Sequence, residues 1–177
     1  MKHFLIVVDM QKDFVDGALG TPEAVAIVAN VVKKIREFDG PIFVTYDTHD
    51  ENYLLTSEGR NLPVIHCVKG TPGWQLNEQV AAALEGKSFT RVEKPTFGSV
   101  DLPELVETAS AMQNFTIELV GLCTDICVVS NALLLKAYFP EHQIFVDADC
   151  CAGVTPESHE AALKTMQMCQ ITVKRGN

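Results

Sequence analysis

"FTIELVGLCTDICVVSNALLLKAYF", residues 115–139, decides the fold. Its first seven residues form a short β-rich apolar run, and Gly121, with no side chain to obstruct a sharp corner, ends it. From 124 to 139 aliphatic residues recur at helical spacing, with Thr124 or Asp125 placed to cap the helix. A strand, a corner and a helix in immediate succession are half of a βαβ unit.

Outward from this segment the same alternation continues. Apolar runs at 3–9, 41–47, 89–94 and 143–148, with a short last one at 171–173, read as strands. Helical patterns occupy 21–38, where Thr21 and Pro22 make a good start, and 101–110 and 156–168. Each parallel crossover needs a helix-sized connection. The pattern therefore predicts an α/β fold: one three-layer α/β/α domain over residues 1–177, whose mostly parallel sheet of about six strands is covered on both faces. The region from about 47 to 80 breaks the rhythm, and a connection that long in a compact domain is usually functional.

Lys plus Arg number 14 against 23 Asp plus Glu, a formal charge of -9, which repels nucleic acid and anionic membranes and suits a small or neutral ligand. The six cysteines are irregularly placed, and "MKHFLIVVDM" is too short for the apolar region and cleavage site of a signal peptide. Both points argue for a cytoplasmic protein with reduced thiols. No apolar run approaches the roughly 20 residues of a membrane helix.

Ligands of open α/β sheets bind beyond the carboxyl ends of the strands. Those ends carry Asp9, Asp47, Lys94 and the pair Cys123 and Cys127. Each alone has a structural reading, since Asp opens loops, Lys is mostly a surface residue and Cys mostly packs. Their coincidence on one rim is the signal. Asp9 follows "FLIVV", a run apolar enough to be buried on both faces, so its carboxylate needs a partner, and Lys94 is a natural one. Cys127 falls in the first helical turn, where the helix dipole and Lys94 favour a thiolate. Cys123 sits in the corner, where its backbone N–H is more useful than its sulfur; N–H groups of 123 and 127 can together hold an oxyanion. A zinc half-site would instead space its cysteines by two residues and need a second pair.

These residues resemble the nicotinamidase branch of the isochorismatase-like cysteine hydrolases over nearly the whole chain. The matching pieces are "IVVDMQKDFV" (6–15), "DTH" (47–49), "HC" then "GTPGW" (66–74), "EKPTFG" (93–98) and "GLCTDICVV" (121–129). The resemblance implies a catalytic triad of Asp9, Lys94 and Cys127, and a cis peptide between Leu122 and Cys123. It implies one divalent metal ion, Zn, Mn or Fe, held by Asp47, His49 and His66 with Glu58 as a further ligand. It implies a small-molecule amide as substrate, and suggests dimers or larger assemblies. Phe14 matches an aromatic that lines the family's pocket. Many nicotinamidases also carry a tryptophan in a "WPxH" pattern that helps sandwich the pyridine ring, whereas this chain reads "NLPVIH" (61–66) with Leu62 in that place. Trp74, the only tryptophan, is the remaining aromatic candidate for the pocket. Three readings stand at this point: a metal-dependent nicotinamidase, a cysteine hydrolase acting on another small amide or ureido compound, and a non-enzymatic thiol sensor on the same fold.

Overall fold

The computed structural model describes residues 1–176. Six strands, β1 (Lys2–Val8), β2 (Ile42–Asp47), β3 (Phe89–Lys94), β4 (Phe115–Leu122), β5 (Gln143–Ala152) and β6 (Thr172–Lys174), form one sheet in the order β3-β2-β1-β4-β5-β6. Every ladder is parallel. Seven helices accompany them: α1 (Lys12–Val15), α2 (Pro22–Glu37), α3 (Ser57–Asn61), α4 (Glu78–Leu84), α5 (Leu102–Ser110), α6 (Val129–Tyr138) and α7 (Pro156–Met168).

The sequence explains the layering. Residues 4–8 of β1 are fully buried, and alternate side chains join opposite cores. Leu5 and Val7 pack with Ile27, Val31 and Ile35 of α2 and Val80 and Leu84 of α4. Phe4, Ile6 and Val8 pack with Leu102 and Val106 of α5, Ala132 and Leu135 of α6, and Leu163 and Met166 of α7. Helix α2 starts as its sequence indicates: the Thr21 side chain accepts the Ala24 N–H and Pro22 occupies the first turn. Among the described residues no helix is long and apolar enough to cross a membrane.

The chain winds outward from β1 through β2 to β3, then returns so that β4 lies on the other side of β1. That reversal leaves a crevice at the carboxyl ends of β1 and β4, where such sheets bind ligands. Register delivers the side chains to it. Val8 pairs with Gly121, so Asp9 and Cys123 leave adjacent strand ends, and Asp47 is paired directly with Lys94. Gly121 is indispensable at this point, because it has φ 117° and a Cβ there would collide with the Val8 carbonyl oxygen.

The irregular region from 47 to 80 is more ordered than its composition indicates. It contains a 3₁₀ turn at Tyr53–Leu55, helix α3 and the start of α4. Two isolated bridges order it: His49 with Val68 joins its two arms, and Gln11 with Leu76 ties it to the chain just beyond β1.

The helix after β4 departs from the expected start. It opens as a π-turn over Thr124–Val128, in which the Cys123 carbonyl accepts the N–H groups of both Ile126 and Val128. Neither Thr124 nor Asp125 caps it. The Thr124 hydroxyl is paired instead with Nδ1 of His159 at 2.8 Å, and the Asp125 carboxylate takes the Val154 N–H at 3.1 Å. Both polar side chains are thus spent on α7 and the turn before it. Single-turn π segments of this kind recur at functional sites.

Candidate active site

Asp9, Lys94 and Cys127 meet in a single buried cluster. Lys94 Nζ, on a residue only 1% exposed, lies 2.7 Å from Asp9 Oδ2, 3.2 Å from Asp47 Oδ1 and 3.5 Å from Cys127 Sγ, and donates to the Thr96 carbonyl at 3.1 Å. A buried ammonium is tolerable only with such partners. Asp9 directly follows β1 in a left-handed conformation, φ 47°. Its N–H reaches the Thr45 hydroxyl oxygen at 3.2 Å, and that hydroxyl donates back to Asp9 Oδ1 at 2.6 Å. Asp9 Oδ2 has no well-aligned donor despite its nearness to Lys94, and remains an open acceptor in a buried place.

Burial is the largest influence on Asp9 and raises its carboxyl above the ordinary value, against the opposing pull of Lys94. A raised carboxylate is better matched to taking a proton near neutral pH. Burial also pushes the Cys127 thiol well above its usual value; Lys94 pulls it down, while Asp9 and Asp47 push it up. Lys94 pulls toward the thiolate as its place on the rim implies, but desolvation of a residue 4% exposed is the larger influence and favours the thiol before substrate binds. Lys94 itself stays charged, because Asp9 and Asp47 raise it against the lowering effect of burial.

The Leu122–Cys123 peptide is cis. Among the described residues, the Cys123 and Cys127 N–H groups donate to no side chain and to no backbone carbonyl outside the regular elements. Two backbone donors beside a thiol are the equipment for an oxyanion.

Asp47, His49, Glu58 and His66 form the second cluster, with one donor atom from each lying within 4.8 Å of the others. His49 Nε2 is 2.9 Å from Asp47 Oδ2 and 3.7 Å from Glu58 Oε1; His66 Nε2 is 3.5 Å and 3.7 Å from the same two oxygens. Donors about 2.0–2.2 Å from a common metal centre sit roughly 3 to 3.5 Å apart, so these spacings are close to those of a ligand set. His49 Nε2 is buried without a hydrogen-bond partner, as expected of an atom whose lone pair serves a metal. The Val64 carbonyl, 2.8 Å from His66 Nδ1, accepts its N–H and leaves Nε2 facing the group. Two imidazoles and two carboxylates suit Zn, Mn or Fe(II).

An apolar cavity of about 210 Å³ opens over both clusters. Cys123, Cys127, Asp47, Glu58 and His66 reach it, and Phe14, Leu19, Leu62, Phe97, Ile126 and Val154 supply most of its wall. Trp74 is not part of it. Its indole N–H donates to the Thr48 hydroxyl at 2.9 Å, its ring lies tilted against Tyr46, and the Arg91 guanidinium sits over both rings toward the β2–β3 side.

Several supporting residues are absent from the sequence-based candidates. The Gln11 side chain accepts the Asp47 N–H and donates to the carbonyls of Asp47 and Trp74, each within 2.9 Å, fixing the backbone of a residue that serves both clusters. Asn131 ties the Cys127 carbonyl to the Phe97 carbonyl and the Ser99 N–H. Tyr53 packs its ring on His49 and His66 and donates its hydroxyl to the Leu62 carbonyl. A buried polar residue close to each motif was the available signal; the partner, tens of positions away, was not.

Residues 3–175 match the isochorismatase domain family. The chain is similar to the crystal structure of nicotinamidase/pyrazinamidase PncA from Bacillus subtilis, with 28% identity over 98% of this chain and 99% of that one and a TM-score of 0.83. It is similar to the pyrazinamidase of Pyrococcus horikoshii in complex with zinc, at 28% identity over 99% of this chain and 100% of that one, TM-score 0.81. It also resembles N-carbamoylsarcosine amidase from Thermoplasma acidophilum, at 25% identity over 99% of this chain and 96% of that one, TM-score 0.74.

Proposed function

This chain belongs to the isochorismatase family, and from that premise we propose that it is a metal-dependent cysteine amidohydrolase converting nicotinamide to nicotinate and ammonia. The observation that carries this reading is the convergence of Asp9, Lys94 and Cys127 beneath an apolar cavity that also reaches Asp47, Glu58 and His66. The solved relatives named nicotinamidase or pyrazinamidase support the substrate assignment, and the one in complex with zinc supports the metal.

The planar ring enters between Phe14 and the aliphatic wall, and Asp9 Oδ2 takes the Cys127 proton as substrate displaces water from the site. Sulfur attacks the carboxamide carbon, forming the C–S bond while the carbonyl electron pair moves onto oxygen. The N–H groups of Cys123 and Cys127 hold that oxyanion, each such donor contributing about 3 to 4 kcal/mol in the transition state. Asp9 hands its proton to the departing nitrogen, the C–N bond breaks, and ammonia leaves a thioester. Water then attacks the thioester carbon while Asp9 takes one of its protons; the C–S bond breaks, Asp9 returns that proton to the Cys127 sulfur, and the carboxylic acid formed ionises to nicotinate, giving its proton to solvent. Lys94 keeps its charge throughout, orienting Asp9 and offsetting the negative sulfur. Asp47, His49, Glu58 and His66 would hold a divalent ion, which when bound would supply a Lewis-acid anchor for a ring nitrogen.

The test is ammonia release by metal-loaded protein from nicotinamide, pyrazinamide and simple ureido compounds. Cys127→Ala abolishes turnover with metal content unchanged, Cys123→Ala retains turnover, and His49→Ala loses metal by elemental analysis. Activity that survives in Cys127→Ala and disappears in Cys123→Ala refutes the assignment of the nucleophile.

A second reading, hydrolysis of another small amide or ureido compound, is favoured by one observation: Leu62 stands in the cavity wall while Trp74 is turned away. Against carboxylate-bearing ureido substrates, the cavity lining includes no lysine or arginine to receive the carboxylate. Silence on nicotinamide with turnover of a ureido compound selects this second reading.

A further inference from the structure

The reaction cavity is the inner of two adjoining chambers. A second chamber, of about 650 Å³, shares Glu58, Leu62, Phe97 and Ile126 with the first. The inner volume of about 210 Å³ falls short of the roughly 300–1,000 Å³ usual for a small-molecule site, whereas the outer chamber lies within that range. The inner space suits a bare ring carboxamide and little more.

The two chambers differ in chemistry. The inner wall is almost wholly apolar, while the outer adds Thr56, Ser57, Asn61 and Thr96. Thr56 and Thr96 already donate their hydroxyl hydrogens, to the Tyr53 and Gly98 carbonyls; the Thr96 oxygen keeps its lone pairs, while the Thr56 oxygen also accepts the Gly59 N–H and keeps one. Asn61 uses one amide N–H on the Ser57 carbonyl, leaving its own side-chain oxygen and second N–H. The Ser57 hydroxyl makes no hydrogen bond among the described residues, and Ser57 and Asn61 are both exposed to the chamber. Apart from His49 and Glu58 of the four-residue cluster, no ionisable side chain lines this outer space. It therefore offers hydrogen bonds to a neutral polar group and no cation to an anionic one.

We infer that the outer chamber is a second substrate subsite, taking a neutral, hydroxylated substituent of a ring carboxamide whose amide lies over Cys127. This rests on the amidohydrolase reading above and widens its substrate class: the chain accepts carboxamides larger than nicotinamide, provided that the extension is uncharged. Leu62, Phe97 and Ile126, which border both chambers, are the residues that the extension passes.

Metal-loaded protein is assayed for ammonia release from nicotinamide, from analogues carrying a hydroxyethyl chain at each free ring carbon in turn, and from the phosphate monoester of the best analogue. The best hydroxyethyl analogue is hydrolysed with kcat/KM within about tenfold of nicotinamide, and its phosphate ester at least about tenfold worse. Ser57→Ala and Asn61→Leu, which lie outside the reaction cavity, each raise KM for that analogue about three- to tenfold, the cost of one lost hydrogen bond, with kcat and the kinetics on nicotinamide unchanged. Hydrolysis of nicotinamide with none of the extended analogues overturns the subsite alone, as do losses in the two variants that fall equally on nicotinamide. Ammonia from neither class overturns the amidohydrolase reading and the subsite with it.

Discussion

Replacing Lys94 by methionine tests the central cluster as a thermodynamic unit. Methionine preserves most of the volume and removes the charge that Asp9 and Asp47 share at 2.7 and 3.2 Å, leaving two carboxylates that are 0% and 2% exposed without their common counter-ion. Removing one partner of a buried ion pair costs about 3–5 kcal/mol, a large share of the ~5–15 kcal/mol that holds a domain folded. The variant is measured without metal, in chelator, by urea unfolding. Its pH dependence has a definite sign. Burial already raises Asp9 in the folded state, and loss of Lys94 removes the main opposing pull, so the folded variant retains a proton that the unfolded chain has released. Between the ordinary carboxylate value and the raised one, stability falls as pH rises, so the deficit at about pH 8 exceeds that at about pH 5.5. Adding Asp9→Asn to Lys94→Met removes one of the stranded charges and recovers at least about 2 kcal/mol, a coupling that a double-mutant cycle isolates. A Lys94→Met deficit under about 1 kcal/mol at the higher pH, or a double variant no more stable than the single one, refutes this account of the cluster.

Gly121→Ala combines a strained φ of 117° with a Cβ driven into the Val8 carbonyl, and is expected to cost about 3 to 5 kcal/mol in urea unfolding. Gln11→Leu strands the Asp47 N–H and carbonyl and lowers metal affinity about 10- to 100-fold by titration calorimetry, with the far-UV spectrum unchanged. The acid limb of kcat/KM follows deprotonation of Asp9, so activity rises with pH through a midpoint above the usual carboxylate range. A midpoint near 4 by initial-rate measurement counts against Asp9 as the base.

The strand ends were legible because β1, β2 and β4 are buried on both faces and read as predominantly apolar runs terminated by Asp9, Asp47 and Gly121. Parallel order then brings those ends to one rim, which is why scattered residues could be joined before any distance was known. What escaped detection depends on pairing across the chain. Thr45 is a lone hydroxyl in the apolar strand "IFVTYD", and only the β1–β2 ladder sets it beneath Asp9. Thr124 and Asp125 have good capping chemistry, but His159 and the Val154 N–H compete for them from residues about thirty positions away. Trp74 illustrates the limit of composition: an aromatic near a ligand motif is drawn to whichever partner completes its N–H and its ring, here Thr48 and Arg91. The thiol state of Cys127 needed burial as well as neighbours, and position in the sequence supplies only the neighbours.

Asp47 explains why the two clusters belong to one site. Its Oδ1 faces Lys94 and its Oδ2 faces His49 and His66, so a single carboxylate is divided between the ammonium beside Asp9 and the four-residue group proposed to hold a metal. Burial would push this carboxyl up, yet His49, His66 and Lys94 together hold it well below the ordinary range, so it stays ionised. On the proposed function an ionised Asp47 would serve each neighbour at the other's expense, because charge drawn toward a bound divalent ion would be charge withdrawn from Lys94. Lys94 lies nearer Asp9, at 2.7 Å, than Asp47, at 3.2 Å. The Gln11 clamp on the Asp47 backbone limits how far the residue can move toward either side. The same geometry makes Asp47→Asn a double lesion, weakening metal binding and the Lys94 environment together, whereas His49→Ala damages the metal group and leaves the Lys94–Asp9 contact intact.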